Sequence, residues 1–128
     1  MADVNRGNRP LSPHVTVQRP ALNWITSIVS RAVAIGLSLT ILLVVWWFVA
    51  LSSGEGAFRF ADDLITSWIG GLILIGSLAA LWFHVLVGIR HLYWDTGSGY
   101  EIDKIDKSSY VVIGGTVVLT LITLIVAF

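Results

Sequence analysis

The chain has no cysteine, and its three prolines all fall within the first 20 residues. Without thiols it forms no disulfide, holds no thiolate-bound zinc and ligates no iron–sulfur cluster by itself. Charge is also scarce. Only 12% of the 128 residues are Asp, Glu, Lys or Arg, against roughly 25% in an ordinary soluble domain. The 8 basic and 8 acidic side chains cancel, so no net field argues for a nucleic-acid partner. No internal repeat, low-complexity tract or phosphate-binding loop is visible. The "GSG" at 97–99 is too short for a nucleotide signature and reads as a helix stop. A large soluble catalytic domain does not fit such a chain.

What the chain does have is apolar length. Hydrophobic residues make up 55% of it, and its mean hydropathy is +0.82. Three apolar runs stand out, at about 24–51, 64–93 and 110–128. Each reaches the roughly 20 residues needed to cross about 30 Å of hydrocarbon. Backbone polar groups in lipid must bond within their own segment, so all three are expected to be α-helices, including the Val/Ile-rich third. The reading is an all-α membrane protein with three transmembrane helices. Residues 1–23 form a polar arm and 24–128 the anchor. The arm holds Arg6, Arg9, Arg19 and the prolines but no apolar segment, so it does not read as a cleavable signal.

The connections are polar. Asp62 and Asp63 are expected to cap the second span and occupy its first turn. Glycines after Asp95 are expected to stop that span, and Ser108 or Ser109 to cap the third. Basic residues give an orientation. Arg6, Arg9, Arg19 and Arg31 lie in or near the arm, Arg59 in the first connection, and Arg90, Lys104 and Lys107 around the second. The N-terminus and the second connection are therefore expected on the cytoplasmic side, with the C-terminus outside. Trp46, Trp47 and Trp68 fall near one interface and Trp24, Tyr93 and Trp94 near the other, as an aromatic belt would.

Within the second span, "LWFHVLVGIRHLYWD" (81–95) places a histidine, His84, at hydrocarbon depth, where titratable side chains are costly and tend to be functional. At about 100° per residue Ser77, Ala80, Leu81, His84, Gly88 and His91 fall near one stripe. The small residues let something bulky approach His84, either a flat macrocycle or another helix. Two readings stand: an imidazole bonded to a neighbouring helix, or a metal ligand. Haem iron is a natural metal for imidazole in a helix bundle. No other histidine lies at matching depth on another helix, so a second axial ligand would come from another polypeptide.

Ser27 and Arg31 are four residues apart near the start of the first span and share a face. Arg31 either snorkels to the interface or, with Ser27, donates to a carbonyl or carboxylate such as a quinone head group or a haem propionate. Arg90, His91 and Asp95 end the second span. They read either as an ordinary charged helix end or as a cluster that binds propionate or delivers protons.

These residues also carry a resemblance. "RPLSPH" (9–14), "SIVSR" (27–31) and "HVLVGIRHLYWDTG" (84–97) resemble, in order and spacing, the cytochrome b subunit of succinate dehydrogenase. That subunit is the larger of two membrane anchors of respiratory complex II, and the wording is most similar to alphaproteobacterial members. The resemblance covers nearly the whole chain and implies half of a heterodimeric helix bundle in the bacterial cytoplasmic (inner) membrane. A flavoprotein subunit oxidises succinate, an iron–sulfur subunit carries the electrons, and the two anchors build a ubiquinone site. It implies that His84 is one axial ligand of haem b, with the second, smaller anchor supplying the other. Ser27 and Arg31 would lie at the quinone, and His91, with Arg31 again, at the haem propionates. No flavin or succinate motif is present, so this chain contributes no catalytic residue for succinate oxidation. The rival readings are the equivalent anchor of a quinol:fumarate reductase and a structural anchor without haem. Three positions depart from the family pattern: Ser30 replaces a histidine, Ala34 a glycine and Gln18 a tyrosine. These put propionate contacts and first-helix packing in question but leave axial ligation untouched.

Overall fold

The computed structural model describes residues 21–127, which form four helices: α1 (Leu22–Ser53), α2 (Glu55–Thr66), α3 (Trp68–Asp95) and α4 (Ile102–Ala127). The arm, with "RPLSPH" and Gln18, lies outside the described residues. Three helices, α1, α3 and α4, are long and apolar enough to cross a membrane, and no strand occurs among the described residues. The protein is an all-α membrane protein. Val and Ile restrict side-chain rotation and favour strands in water. In hydrocarbon only a helix satisfies the backbone of α4 from within.

The connection at 52–63 is not a loop. Gly54 ends α1 at φ +124°, a conformation open to glycine and strained for residues with a Cβ. The chain then re-enters a helix at once. In α2 the apolar side chains Ala57, Phe58, Phe60, Ala61, Leu64 and Ile65 share one arc, and Glu55, Arg59, Asp62, Asp63 and Thr66 share the other. The aromatic end of α1 receives this helix. Trp47 packs edge-on against Phe58 at 5.4 Å, and Trp46 does the same with Phe60 at 6.3 Å. Asp62 and Asp63 therefore do not begin the second span, as their residue type suggests. They lie inside α2, where Asp62 Oδ1 accepts a hydrogen bond from Trp47 Nε1 at 3.2 Å.

Ser67 caps α3 instead. Its backbone is extended, and its Oγ accepts from the Gly70 amide at 3.1 Å, the bond that defines an N-cap. Here the chain turns so tightly that a Cβ on Gly70 would overlap the carbonyl oxygens of Ile65 and Leu64, whereas one on Gly71 would meet open space. Gly70→Ala is expected to destabilise the corner by about 1–3 kcal/mol, as overpacking does. It should lower the unfolding temperature in detergent, while Gly71→Ala should stay near wild type. Equal temperatures for the two variants would remove this account of the corner.

The third span also starts earlier than expected. Helix α4 begins at Ile102, with the Lys104 and Ile105 amides bonding back to Glu101 O at 2.9 Å each. Ser108 and Ser109 lie inside the helix and cap nothing. The polar residues at 102–109 suggest a connection, but polarity does not prevent a helix from continuing beyond lipid. The glycine stop after α3 is present. Gly97 has φ +79°, and its amide bonds to Trp94 O at 2.9 Å.

The spans pack antiparallel in chain order. A small apolar core of Phe83, Val87 and Val112, with Val33 and Leu86 against it, joins α1, α3 and α4. Hydroxyl and indole groups tie the same helices. Thr40 Oγ1 and Ser77 Oγ are 2.8 Å apart, and Trp82 Nε1 donates to Thr123 Oγ1 at 3.0 Å. Most large apolar side chains face outward, among them Ile35, Leu39, Leu42, Ile89 and Val118. That inversion of soluble packing fits a lipid or helix environment rather than water.

Candidate functional site

His84 stands on the wall of a groove of about 530 Å³ between α1 and α3. Ala34, Ser38 and Ile41 line it from α1, and Ser77, Leu81 and His84 from α3. Counting 1.5 Å per residue, His84 is about 24 Å from the start of α3 and about 17 Å from its end, well inside the apolar stretch. Its imidazole is exposed on the groove and has no hydrogen-bond partner among the described residues. None of the described residues on a neighbouring helix bonds to this imidazole. One turn on, Gly88 leaves open space where a Cβ would stand.

The cross-helix bond between Thr40 and Ser77 and the contact between Thr26 and Arg90 set the register of α1 against α3. In that register His84 is level with Ala32 and Val33. On α1, Ser27, Arg31, Ala34 and Ser38 recur at helical spacing, and the last two line the groove. Ser27 and Arg31 therefore continue the groove wall toward the start of α1. Arg31 lies about 2 Å and Ser27 about 8 Å beyond the level of His84. Arg31 is exposed and Ser27 half-buried. Ser30 turns its Oγ onto Ser27 O at 2.8 Å, so it is satisfied locally, and Ala34 is part of the groove wall.

His91 and Asp95 lie on the His84 stripe, both exposed. The His91 Nδ1 is 2.8 Å from Val87 O, and its ring meets Trp94 edge-on at 5.3 Å. With Nδ1–H committed to that carbonyl, Nε2 donates to an anion only when the imidazole is protonated.

Among the described residues no cluster of three or more His, Asp or Glu side chains can hold a metal ion. A lone imidazole does not retain a bare ion, but it suits a metal that brings its own planar ligand. The residues present fit such a group: an apolar groove with small residues around His84, and a basic, hydroxyl-bearing end at Ser27, Arg31 and His91.

Residue type alone misplaces Arg90. It is not an exposed helix-end charge. It is 5% exposed, in the middle of the bundle, where Nη1 donates to Ser109 Oγ at 2.9 Å. The available signal was spacing: Phe83, Val87 and Arg90 recur at i, i+4 and i+7, and all three are buried.

A three-span helical membrane anchor that offers one exposed imidazole in a groove and a basic groove end is the class of protein these features define. The family model for succinate dehydrogenase/fumarate reductase transmembrane subunits matches residues 5–123, and the chain belongs to that family. It is 53% identical over 128 residues to the succinate dehydrogenase cytochrome b556 subunit of Paracoccus denitrificans, covering 100% of this chain and 98% of the relative. It is 30% identical over 114 residues to the cytochrome b556 subunit of Rickettsia conorii, covering 89% of each. It is also 37% identical over 111 residues to the mitochondrial cytochrome b560 subunit of Sus scrofa, covering 83% of this chain and 64% of the relative.

Proposed function

We propose that the chain is the larger membrane anchor of a succinate:ubiquinone oxidoreductase, with residues 24–128 in the bacterial cytoplasmic membrane and 1–23 as a cytoplasmic arm. His84 gives one axial ligand to haem b, and a second small anchor subunit seated on the groove gives the other. Flavoprotein and iron–sulfur subunits dock at the cytoplasmic end, where α1 begins and α3 ends. The observation that carries this reading is the exposed, unpaired imidazole of His84 in an apolar groove. A titratable side chain at hydrocarbon depth is costly without a partner, and none of the described residues supplies one, which supports a ligand or partner seated in the groove. The names of the relatives support succinate oxidation over the fumarate reductase alternative, since the curated relatives cited above are succinate dehydrogenase subunits.

Haem b, when bound, supplies a one-electron redox centre inside the bilayer. This chain's own residues do the rest. His84 binds and orients the macrocycle, and Gly88 and Ala34 leave room for its face. His91, in its protonated form, and Arg31 donate to carboxylates at the macrocycle's polar edge. Ser27 and Arg31 donate to a quinone oxygen, and that bond strengthens as negative charge builds on the oxygen in a water-poor site. Asp95, near the aqueous end of the same stripe, is placed to relay protons toward the quinone.

The test is the purified complex. It should contain a second three-helix anchor, a flavoprotein and an iron–sulfur protein, and its reduced-minus-oxidised spectrum should show six-coordinate low-spin haem b. A complex with the three partners and no such spectrum would leave a structural anchor as the better reading.

Orientation has its own test. With Arg90 internal, the charge bias at the cytoplasmic end rests on Lys104, Lys107, Arg31 and the arm. The chain's lack of cysteine makes single-cysteine labelling clean. Lys104→Cys should react with an impermeant reagent from the cytoplasmic side and Gly56→Cys from the outside. The opposite pattern would overturn the placement of the quinone end.

A further inference from the structure

Arg90 plays no part in the reading above, and its surroundings are unusual for a buried cation. Its Nη1 donates to Ser109 Oγ at 2.9 Å and its Nη2 to Thr26 Oγ1 at 3.5 Å. Its guanidinium carbon lies 4.5 Å from the centroid of the Trp94 ring. Its Nε has no partner among the described residues. Ser109 and Thr26 are themselves 0% and 2% exposed. Each passes its own hydroxyl hydrogen to a backbone carbonyl, Ile105 O at 3.0 Å and Asn23 O at 2.9 Å. All of these partners are neutral. The ion pairs among the described residues are Arg59–Glu55 and Lys104–Glu101, and neither involves Arg90.

A clasp between helices does not need a charge. A neutral donor would tie α3 to Ser109, and burying a cation without a counter-ion is unfavourable in itself. The charge sits at the level of Ser27, the residue next to Thr26, and about 9 Å along α3 from His84. It lies behind the groove wall rather than in the groove. Inside a bundle of low dielectric such a charge is felt more strongly than in water, and salt screens it little.

We propose that Arg90 is a fixed internal cation that raises the potential at the Ser27–Arg31 end of the groove and so stabilises the reduced form of a redox group bound there. The inference rests on the reading that haem b occupies the groove. Arg90 touches neither haem nor quinone; its effect is through the field. Reduction adds negative charge to the bound group, so a positive charge nearby raises its midpoint potential.

The experiment is a redox titration of haem b in the purified complex in lipid nanodiscs, at fixed pH and ionic strength. Arg90→Gln removes the charge and keeps a donor toward Ser109; the midpoint potential should fall. Ser109→Asp sets a carboxylate against the guanidinium, neutralising it while keeping the clasp; the potential should fall again. Arg90→Lys and Thr26→Val disturb the clasp and keep the charge, so both should stay near wild type. The band shape should be unchanged throughout, since His84 is untouched. A fall in Thr26→Val as large as that in Arg90→Gln, or no fall in Ser109→Asp, would make Arg90 a staple only and overturn the inference. Should Arg90→Gln fail to assemble, Ser109→Asp decides alone. A wild-type complex without haem b overturns the proposed function and this inference together. A normal haem band with an unshifted potential in Ser109→Asp overturns this inference alone.

Discussion

His84→Ala should abolish the six-coordinate low-spin haem spectrum, because one of the two axial bonds is lost and no other side chain in the groove replaces it. Among the described residues the other imidazole is His91, seven residues further along α3, about 10 Å away along the axis, and its Nδ1 bonds to Val87 O. His91→Ala should therefore keep the low-spin spectrum. The fold of this chain should tolerate His84→Ala well. The side chain is exposed and bonds to no described residue, and changes at such positions usually stay within about 0.5 kcal/mol. Loss of the spectrum with unchanged helical content is the expected pair of results. An unchanged reduced spectrum in His84→Ala would mean that the axial ligand is elsewhere.

Arg31→Leu should split the two activities of the complex. A charged donor aimed at an oxygen where negative charge develops contributes about 2–4 kcal/mol, by analogy with oxyanion donors. Quinone reduction should then fall by roughly 10²-fold or more. Succinate oxidation measured with a soluble dye that takes electrons upstream of the anchor should be nearly unaffected. Ser27→Ala should show a milder form of the same split, since a neutral hydroxyl is a weaker donor than a guanidinium. Equal loss of both activities in Arg31→Leu would mean that Arg31 holds the complex together. Snorkelling to the interface would then be the better account of it.

Much of the candidate site was legible from spacing. His84 stands out because an imidazole in an apolar run is rare. Helical periodicity alone puts Ser77, Leu81 and Gly88 on its stripe, and the structure puts Ser77, Leu81 and His84 on one groove wall. Ser27 and Arg31 share a face by the same periodicity. What spacing within one helix cannot supply is how far α1 slides against α3. That register comes from Thr40 meeting Ser77 and Thr26 meeting Arg90, and it brings Arg31 to within about one turn of the level of His84. The helix boundaries were less legible. Asp62, Asp63, Ser108 and Ser109 are good capping residues, but α2 and the polar start of α4 continue through them.

The sequence by itself determined the membrane class, the three spans and their helical state. Hydrocarbon leaves the backbone no other way to satisfy its polar groups, whatever the β-branched content of 110–128. It also determined the face on which His84 lies, since helical periodicity assigns faces without reference to neighbours. Only the tertiary structure decided that Arg90 is internal. An arginine near the end of a span has the same local pattern whether it reaches water or turns inward. The difference lies in Ser109 and Thr26, 19 and 64 residues away along the chain. Their hydroxyls meet the guanidinium only once α1 and α4 have packed against α3.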